Sequence, residues 1–197
     1  ATIKYFIVKD GKIIVLSAPS GSGKTTLVKH LLNKNSNLEF SISATSRLPR
    51  GNEINGKDYH FFKKESFIKA IREKSFIEYE EVYEGIYYGT LKSELFKIWN
   101  NKKIAVFDID VEGGINIKNH YQENTLSIFI KPPSLFVLKD RLLKRETDSR
   151  ENIDIRISKA KKELKKEKEF DHIIVNDDLR VAKLELDKII SGFISNR

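Results

Sequence analysis

An α/β fold built on a parallel sheet is what this 197-residue sequence predicts, and three observations carry the prediction. Strand-like and helix-like segments alternate along the chain, the pattern of strands joined by helical crossovers. The strand candidates are short β-branched or aliphatic runs, of the kind buried on both faces of a parallel sheet. Finally, the apolar run Ile13-Ile14-Val15-Leu16 passes through Ala18-Pro19-Ser20-Gly21-Ser22-Gly23-Lys24-Thr25 into the helix-like Leu27-Val28-Lys29-His30-Leu31-Leu32. A strand that ends in a glycine-rich turn and then opens a helix aims backbone N–H groups, and the positive end of the helix dipole, at one point in space. An anion belongs there.

In chain order, Ile3–Val8 is a strand candidate, and Asp10-Gly11 suits a tight turn to the next strand. That pairing conflicts with a phosphate-loop strand lying between parallel neighbours, so the first ten residues stay unassigned. Ile13–Ser17 is the first core strand and Thr25–Leu32 the first helix. From about Phe40 to Gly89 the rhythm breaks into short runs, Phe40–Thr45, Tyr59–Lys63 and Phe76–Tyr83, with a helix at Phe67–Lys74, which read as an inserted β-rich lobe. The alternation then resumes with helix Leu91–Asn100, strands Ile104–Ile109 and Ser127–Ile130, helices Leu135–Lys144 and Ile153–Glu169, strand His172–Val175 and helix Val181–Phe193. In the long helix, Ile153, Ile157, Ala160 and Leu164 fall at helical spacing, so a narrow apolar stripe docks while the charged face stays wet.

With 40% hydrophobic residues the chain suffices for one well-cored domain with inserted lobes. No run approaches the ~18–20 apolar residues of a membrane span, and the N-terminus lacks the order of a secretory signal. A soluble, cytoplasmic protein is expected, with no membrane partner. The absence of cysteine removes disulfides, thiolate metal sites and thiol nucleophiles together. The net charge of +8 admits a nucleic-acid partner or a pocket that collects phosphorylated small molecules. Its distribution favours the pocket: much of the excess lies in helix-like stretches mixed with acids, where Lys159/Glu163 and Lys165/Glu169 sit four apart. No basic motif interleaved with aromatics appears, so no nucleic-acid partner is expected.

In the glycine-rich turn Lys24 would reach the terminal phosphates of a nucleotide, and the Thr25 hydroxyl would ligate magnesium. The strict pattern begins with Gly, and Ala18 is the smallest departure from it. Asp108 ends an apolar run, where ligands of a parallel sheet gather, and can hold magnesium or cap a helix. Asp110 points the same way if the extended conformation persists, and Gly113-Gly114 permits a close approach of backbone or ligand. Between Ser43 and Tyr59, Arg47 and Arg50 lie three apart among hydroxyls, able to fork around a phosphate or to stand as ordinary surface charge. Of the four histidines, His30, His60, His120 and His172, none shows metal-ligand spacing.

Together these segments resemble the guanylate kinase family. Ser43-Ala44-Thr45-Ser46-Arg47, Arg50, Glu53, Gly56 and Tyr59 follow the family's nucleotide-monophosphate signature except at Ser46. Phe76-Ile77-Glu78, Tyr87-Tyr88-Gly89-Thr90, Asp108-Ile109-Asp110 with Gly113, and Ile174-Val175-Asn176-Asp177-Asp178 continue it in order. The resemblance implies a P-loop kinase fold: an α/β core (residues 1–39, 90–144 and 159–197), a GMP-binding lobe (40–89) and a small lid (145–158). It implies an enzyme that passes the γ-phosphoryl group of ATP to GMP, and to dGMP, with Mg2+. ATP would be held by Ala18, Pro19, Ser20, Gly21, Ser22, Gly23, Lys24, Thr25 and Thr26, with Asn176 near the adenine. The metal would lie at Thr25 and Asp108.

By the same resemblance, Arg47, Arg50, Tyr59 and Tyr88 hold the GMP phosphate, and Ser43, Glu78, Thr90 and Asp110 read the guanine. The role of Glu78 makes chemical sense unaided, because an ionised carboxylate only accepts and guanine offers two adjacent donors, whereas adenine presents a bare acceptor. Arg145 and Arg156 would close over the transferring phosphoryl group, making them catalytic together with Lys24 and Arg47. Two other readings stay open on sequence: a catalytically inactive module of the same family that binds phosphorylated peptides, and a phosphate-loop kinase for another small molecule.

Overall fold

The computed structural model of the chain describes residues 11–144 and 150–195. The Ile3–Val8 candidate, Asp10 of its turn, and Arg145 with the lid stretch up to Ser149 lie outside the described residues. In chain order the first elements are β1 (Ile13–Ser17), α1 (Lys24–Lys34), β2 (Leu38–Phe40), β3 (Ala44–Thr45), β4 (His60–Phe61), α2 (Lys64–Arg72), β5 (Phe76–Tyr83), β6 (Ile86–Leu91) and α3 (Lys92–Asn100). There follow β7 (Ile104–Asp108), α4 (Val111–Tyr121), β8 (Thr125–Lys131), α5 (Leu135–Leu143), α6 (Arg150–Leu164), β9 (His172–Val175) and α7 (Leu179–Ser195).

The core is a five-stranded parallel sheet in the order β2-β7-β1-β8-β9. Alternate residues of β1 leave opposite faces of it. Ile14 and Leu16 pack with Leu27 and Leu31 of α1 and with Ala182, Leu186 and Ile190 of α7. Ile13 and Val15 pack with Leu95, Ile98 and Trp99 of α3 and Ile117 of α4. Both faces are therefore covered by helices, which is why this strand reads as an unbroken apolar run rather than an alternation. Each such side chain buried contributes roughly 1.5–3 kcal/mol, so this sheet is the rigid part of the molecule.

Register fixes the chemistry at its edge. Leu16 of β1 lies opposite Asp108 of β7, so the carboxylate that closes β7 stands beside the start of the glycine-rich loop. The second sheet has four strands in the order β4-β3-β6-β5 and its own small core of Ala44, Phe67, Ala70 and Phe76, with Phe67 stacked on Phe76 at 4.4 Å. Residues of β5 and β6 pair antiparallel, Glu78 with Thr90 and Glu80 with Tyr88. Register shifts between Phe76 and Glu78 and between Glu81 and Tyr83 place an extra residue on β5 at each point, as bulges do.

The expected run Phe40–Thr45 divides between the two sheets. Leu38–Phe40 joins the core beside β7, Ser41 N still donates to Val106 O at 2.9 Å, and Ala44–Thr45 begins the lobe sheet. The expected strand Tyr59–Lys63 keeps only His60–Phe61, and the long helix ends at Leu164, before a short 3-10 turn at Glu167–Glu169. Two elements have no counterpart in the sequence reading. One is β6; the other is α4, whose Gly113-Gly114 pair lowers helix propensity. It forms because Asp110 caps it, accepting from Gly113 N at 2.9 Å, and because Gly114 fits against Ser17, where a Cβ would stand 2.3 Å from Oγ. The divisions expected at 39/40, 89/90 and 158/159 fall within β2, β6 and α6, so lobe and lid join the core through continuous elements.

Candidate active site

A cleft of about 670 Å³ opens between the carboxyl edge of the parallel sheet and the lobe, walled by the glycine-rich loop, β5, β6, the end of β7 and one face of α6. The loop owes its shape to two left-handed glycines, Gly21 (φ 91) and Gly23 (φ 87), a conformation that side chains resist. Ser22 closes the turn, its Oγ donating to Pro19 O at 2.7 Å. Gly23 also admits a neighbour: a Cβ there would lie 2.3 Å from Asn176 Nδ2, which donates to Ser22 O at 2.8 Å. Asn176, expected near an adenine, is thus buried behind the loop and fixes its path. The first turn of α1 carries no acid of its own, so the positive helix end stays favourable to an anion in the cleft.

Residues Ala18 to Thr25 all line the cleft, and Thr26 is exposed outside its wall. Lys24 Nζ lies 2.6 Å from Asp108 Oδ1 and donates to Ile109 O at 2.8 Å. That pair brings the expected phosphate-binding lysine and the expected metal ligand into contact. The Thr25 hydroxyl and the Asp108 carboxylate are hard oxygen donors at the loop mouth. Among the described residues no group of three or more His, Cys, Asp and Glu could hold a metal ion. A donor set of one hydroxyl and one carboxylate suits Mg2+, which keeps several waters and takes the rest of its shell from substrate phosphates.

Across the cleft, Ser43, Arg50, Tyr59, Tyr88 and Gly89 line the wall. The expected fork of Arg47 and Arg50 does not form. Arg47 is held inside the lobe: Nη1 and Nη2 donate to Glu53 Oε2 and Oε1 at 2.6 and 2.7 Å, Nε to the Tyr88 hydroxyl at 2.9 Å and Nη1 to Leu48 O at 3.0 Å. Its guanidinium also lies over the Tyr59 ring, 4.8 Å from the centroid. The paired Arg47 and the Arg50 N–H lower the Glu53 carboxyl to about 2. Glu53 therefore orders both arginines of the segment, a role that its place in the quoted signature hints at but does not disclose.

Acids gather deeper in. Burial pushes Glu78 up to about 7, against the hydrogen bond that Thr90 Oγ1 donates to its Oε1 at 2.7 Å. Opposite, a Cβ on Gly113 would meet Glu78 Oε2 at 3.1 Å and Asp110 Oδ1 at 2.9 Å, so glycine keeps both carboxylates close to the first turn of α4. Glu80 also faces the cleft, and a hydrogen bond shared with Asp110, with burial, pushes it up to about 8.

The charged side of α6 does not simply stay wet. Arg156, Lys159 and Glu163, which fall on one helical face, line the cleft. Arg156 Nη1 donates to Ser20 Oγ at 3.1 Å, joining this helix to the phosphate loop, and burial raises Glu163 to about 7. Glu80, Lys159 and Glu163 were not singled out as site residues from the sequence. The available signals were the two-residue spacing from Glu78 along a strand and the helical spacing from Arg156.

A phosphate cradle on the parallel sheet, facing a separate polar lobe across one cleft, is the arrangement of a P-loop kinase. The family model described as guanylate kinase matches residues 10–192. The guanylate kinase of Bacteroides thetaiotaomicron is 51% identical, over 94% of this chain and 91% of its own, and that of Porphyromonas gingivalis 49% identical, over 93% and 98%. A crystal structure of guanylate kinase from Anaplasma phagocytophilum superposes with a TM-score of 0.72 at 28% identity, covering 93% of this chain and 86% of that one. The chain belongs to the guanylate kinase family.

Proposed function

We propose that this chain is an ATP-dependent kinase of GMP and dGMP, forming ADP and the nucleoside diphosphate with Mg2+, in the purine nucleotide metabolism of the cytoplasm. Neither nucleic acid nor membrane is a partner; no helix among the described residues is long and apolar enough to cross a membrane. The observation that carries this reading is one cleft lined by both a phosphate loop and Glu78, whose carboxylate the buried Thr90 hydroxyl holds from behind. The loop amides and Lys24 take the ATP phosphates, with Ala18–Thr25 as the cradle, Thr26 next to it on the ATP side and Asn176 as its support. Arg50, Tyr59 and Tyr88 hold the GMP phosphate, with Arg47 ordered beside them, and Ser43, Glu78, Thr90 and Asp110 read the guanine.

The nucleophile is a GMP phosphate oxygen, whose second pKa of ~6 leaves it ionised at neutral pH, so no general base is required. Catalysis reduces to positioning and charge neutralisation. Arg156, and Arg145 with it, neutralise charge on the equatorial oxygens of the transferring group. Thr25 and Asp108 would hold Mg2+, which would supply positive charge to offset that of the ATP phosphates. Closure of the cleft excludes the water that would hydrolyse ATP.

A coupled ADP-release assay with GMP, AMP, UMP and CMP at fixed ATP tests the reading. GMP is expected to turn over at least about 100-fold faster than AMP in kcat/KM. Equal use of GMP and AMP would sink the specificity, and no turnover with any nucleotide would point to a binding module. Glu53→Ala is expected to raise the GMP KM about tenfold with little change in kcat, since it frees Arg47 from the lobe without touching the phosphate loop. A kcat loss with constant KM would remove Glu53 from GMP binding.

A further inference from the structure

His60 and Glu94 have no part in the reaction as described, yet they form a buried polar pair where the lobe meets a core helix. Glu94 lies in the first turn of α3 with its side chain 8% exposed, and His60 of β4 brings Nε2 to 3.0 Å from its Oε2. A carboxylate only accepts, so the imidazole donates. Lys97, one turn on, stands 3.9 Å from Oε1 on a largely exposed stem, which leaves the histidine as the close partner. A buried pair of this kind adds little net stability over apolar packing, and its best-attested use is to fix register. The element that needs fixing is β4, a strand of two residues at the edge of the lobe sheet with β3 as its one neighbour. Side chains alternate along it. Tyr59 and Phe61 turn towards the Arg47 guanidinium, 4.8 and 5.6 Å from their ring centroids, and His60 turns the other way, to α3.

We propose that the His60–Glu94 pair positions the GMP site, holding Tyr59 and Ser43 in register with Tyr88 and Thr90. The inference rests on the proposed kinase function and adds to it two residues outside the cleft wall. α3 is the fixed point, since its Leu95, Ile98 and Trp99 lie in the core, and it directly continues β6, which carries Tyr88 and Thr90. His60 belongs to the other half of the site: it follows Tyr59 in the chain, and its N–H donates to Ser43 O at 2.9 Å. The side-chain bond to Glu94 therefore ties the strand beside Tyr59 to the helix that anchors Tyr88, and the two tyrosine rings meet edge to face at 5.9 Å. With the bond cut, GMP would have to order β4 as it binds, which weakens binding without touching the phosphate loop. His60 and Glu94 are thus positioning residues, and their loss belongs in the GMP KM rather than in kcat.

Steady-state kinetics and thermal melting of the unaltered chain, His60→Gln, His60→Ala and the double variant His60→Ala/Glu94→Ala test this. His60→Ala is expected to raise the GMP KM about tenfold, with kcat and the ATP KM within about threefold of the unaltered values. His60→Gln keeps a donor at the reach of Nε2 and should stay within about threefold in all three constants. His60→Ala also leaves a buried carboxylate without its close partner and should melt lower; the double variant removes that charge and should regain melting temperature. Its GMP KM should nevertheless stay about tenfold raised. Recovery of the KM along with the melting temperature would overturn the proposal and leave the pair a contact of the fold alone. An unchanged GMP KM in His60→Ala would overturn it too, as would a loss shared by kcat and the ATP KM, or a His60→Gln as impaired as His60→Ala. Should His60→Ala fail to fold, the double variant carries the same comparison. Failure of the unaltered chain to turn over GMP would instead overturn the kinase reading beneath it.

Discussion

Lys24→Ala is expected to lower kcat by about 10²–10³-fold, the loss typical of removing one preorganised charge from a transition state. The lysine opens α1 directly after two left-handed glycines, so the backbone fixes its Cα while the flexible stem carries the ammonium into the cleft. There it holds Asp108 at 2.6 Å and Ile109 O at 2.8 Å. Truncation therefore leaves the Asp108 carboxylate without its cation and, in the proposed role of Lys24, removes a positive charge from the donor phosphates. Both consequences fall on the transferring group rather than on the lobe, so the GMP KM should move by no more than about threefold. Lys24→Arg should not restore the rate, because a planar fork replaces a compact point charge on a loop built for the latter. Steady-state kinetics with GMP and ATP varied in turn decide the matter. A kcat within about fivefold of the unaltered chain would place the phosphate-gripping charge elsewhere.

What the sequence disclosed, and what it withheld, follows from the range of each interaction. The central strands were legible because doubly covered parallel strands need continuous aliphatic runs, and Ile13–Ser17, buried throughout, has the bounds its sequence suggests. The phosphate loop was legible because its function lies in contiguous backbone. α4 was not, since Gly113-Gly114 argues against a helix locally, and only the packing of Gly114 on Ser17, from a distant strand, makes glycine the right residue. Arg47 shows the same limit from the other side. Its spacing from Arg50 suggested a fork, but Glu53 in the next turn claims its guanidinium, and an Arg–carboxylate pair of this bidentate kind is a strong competitor. Helical spacing placed Lys159 and Glu163 on one face with Arg156, yet which way that face turns depends on the lobe it meets, and nothing local in α6 records that.

Glu78→Gln is expected to cut kcat/KM for GMP by about 10–100-fold and to narrow the preference over AMP, the effect of mispairing a buried polar contact worth ~1–3 kcal/mol. In the proposed role the carboxylate accepts from both donors of guanine, whereas the isosteric amide turns one acceptor into a donor, opposed to a guanine N–H but suited to the bare acceptor of adenine. The bulge between Phe76 and Glu78 and the pairing of Glu78 with Thr90 fix the side chain in the cleft, so the amide cannot easily swing away. A pH dependence follows. Burial holds the Glu78 carboxyl at about 7, above its ordinary 4.5, and only the ionised form accepts both donors. GMP affinity should therefore rise with pH up to about 7 and level off above it, while Glu78→Gln should lack this rise. The stability of the free protein carries the opposite sign. Between 4.5 and about 7 the folded chain keeps a proton at Glu78 that the unfolded chain has lost, so this group's contribution to stability falls as pH rises through that window. GMP binding, which favours the ionised form, should offset that fall, so the gain in melting temperature with saturating GMP should be larger at pH 8 than at pH 6. A gain independent of pH, together with an unchanged preference for GMP in Glu78→Gln, would remove Glu78 from guanine recognition.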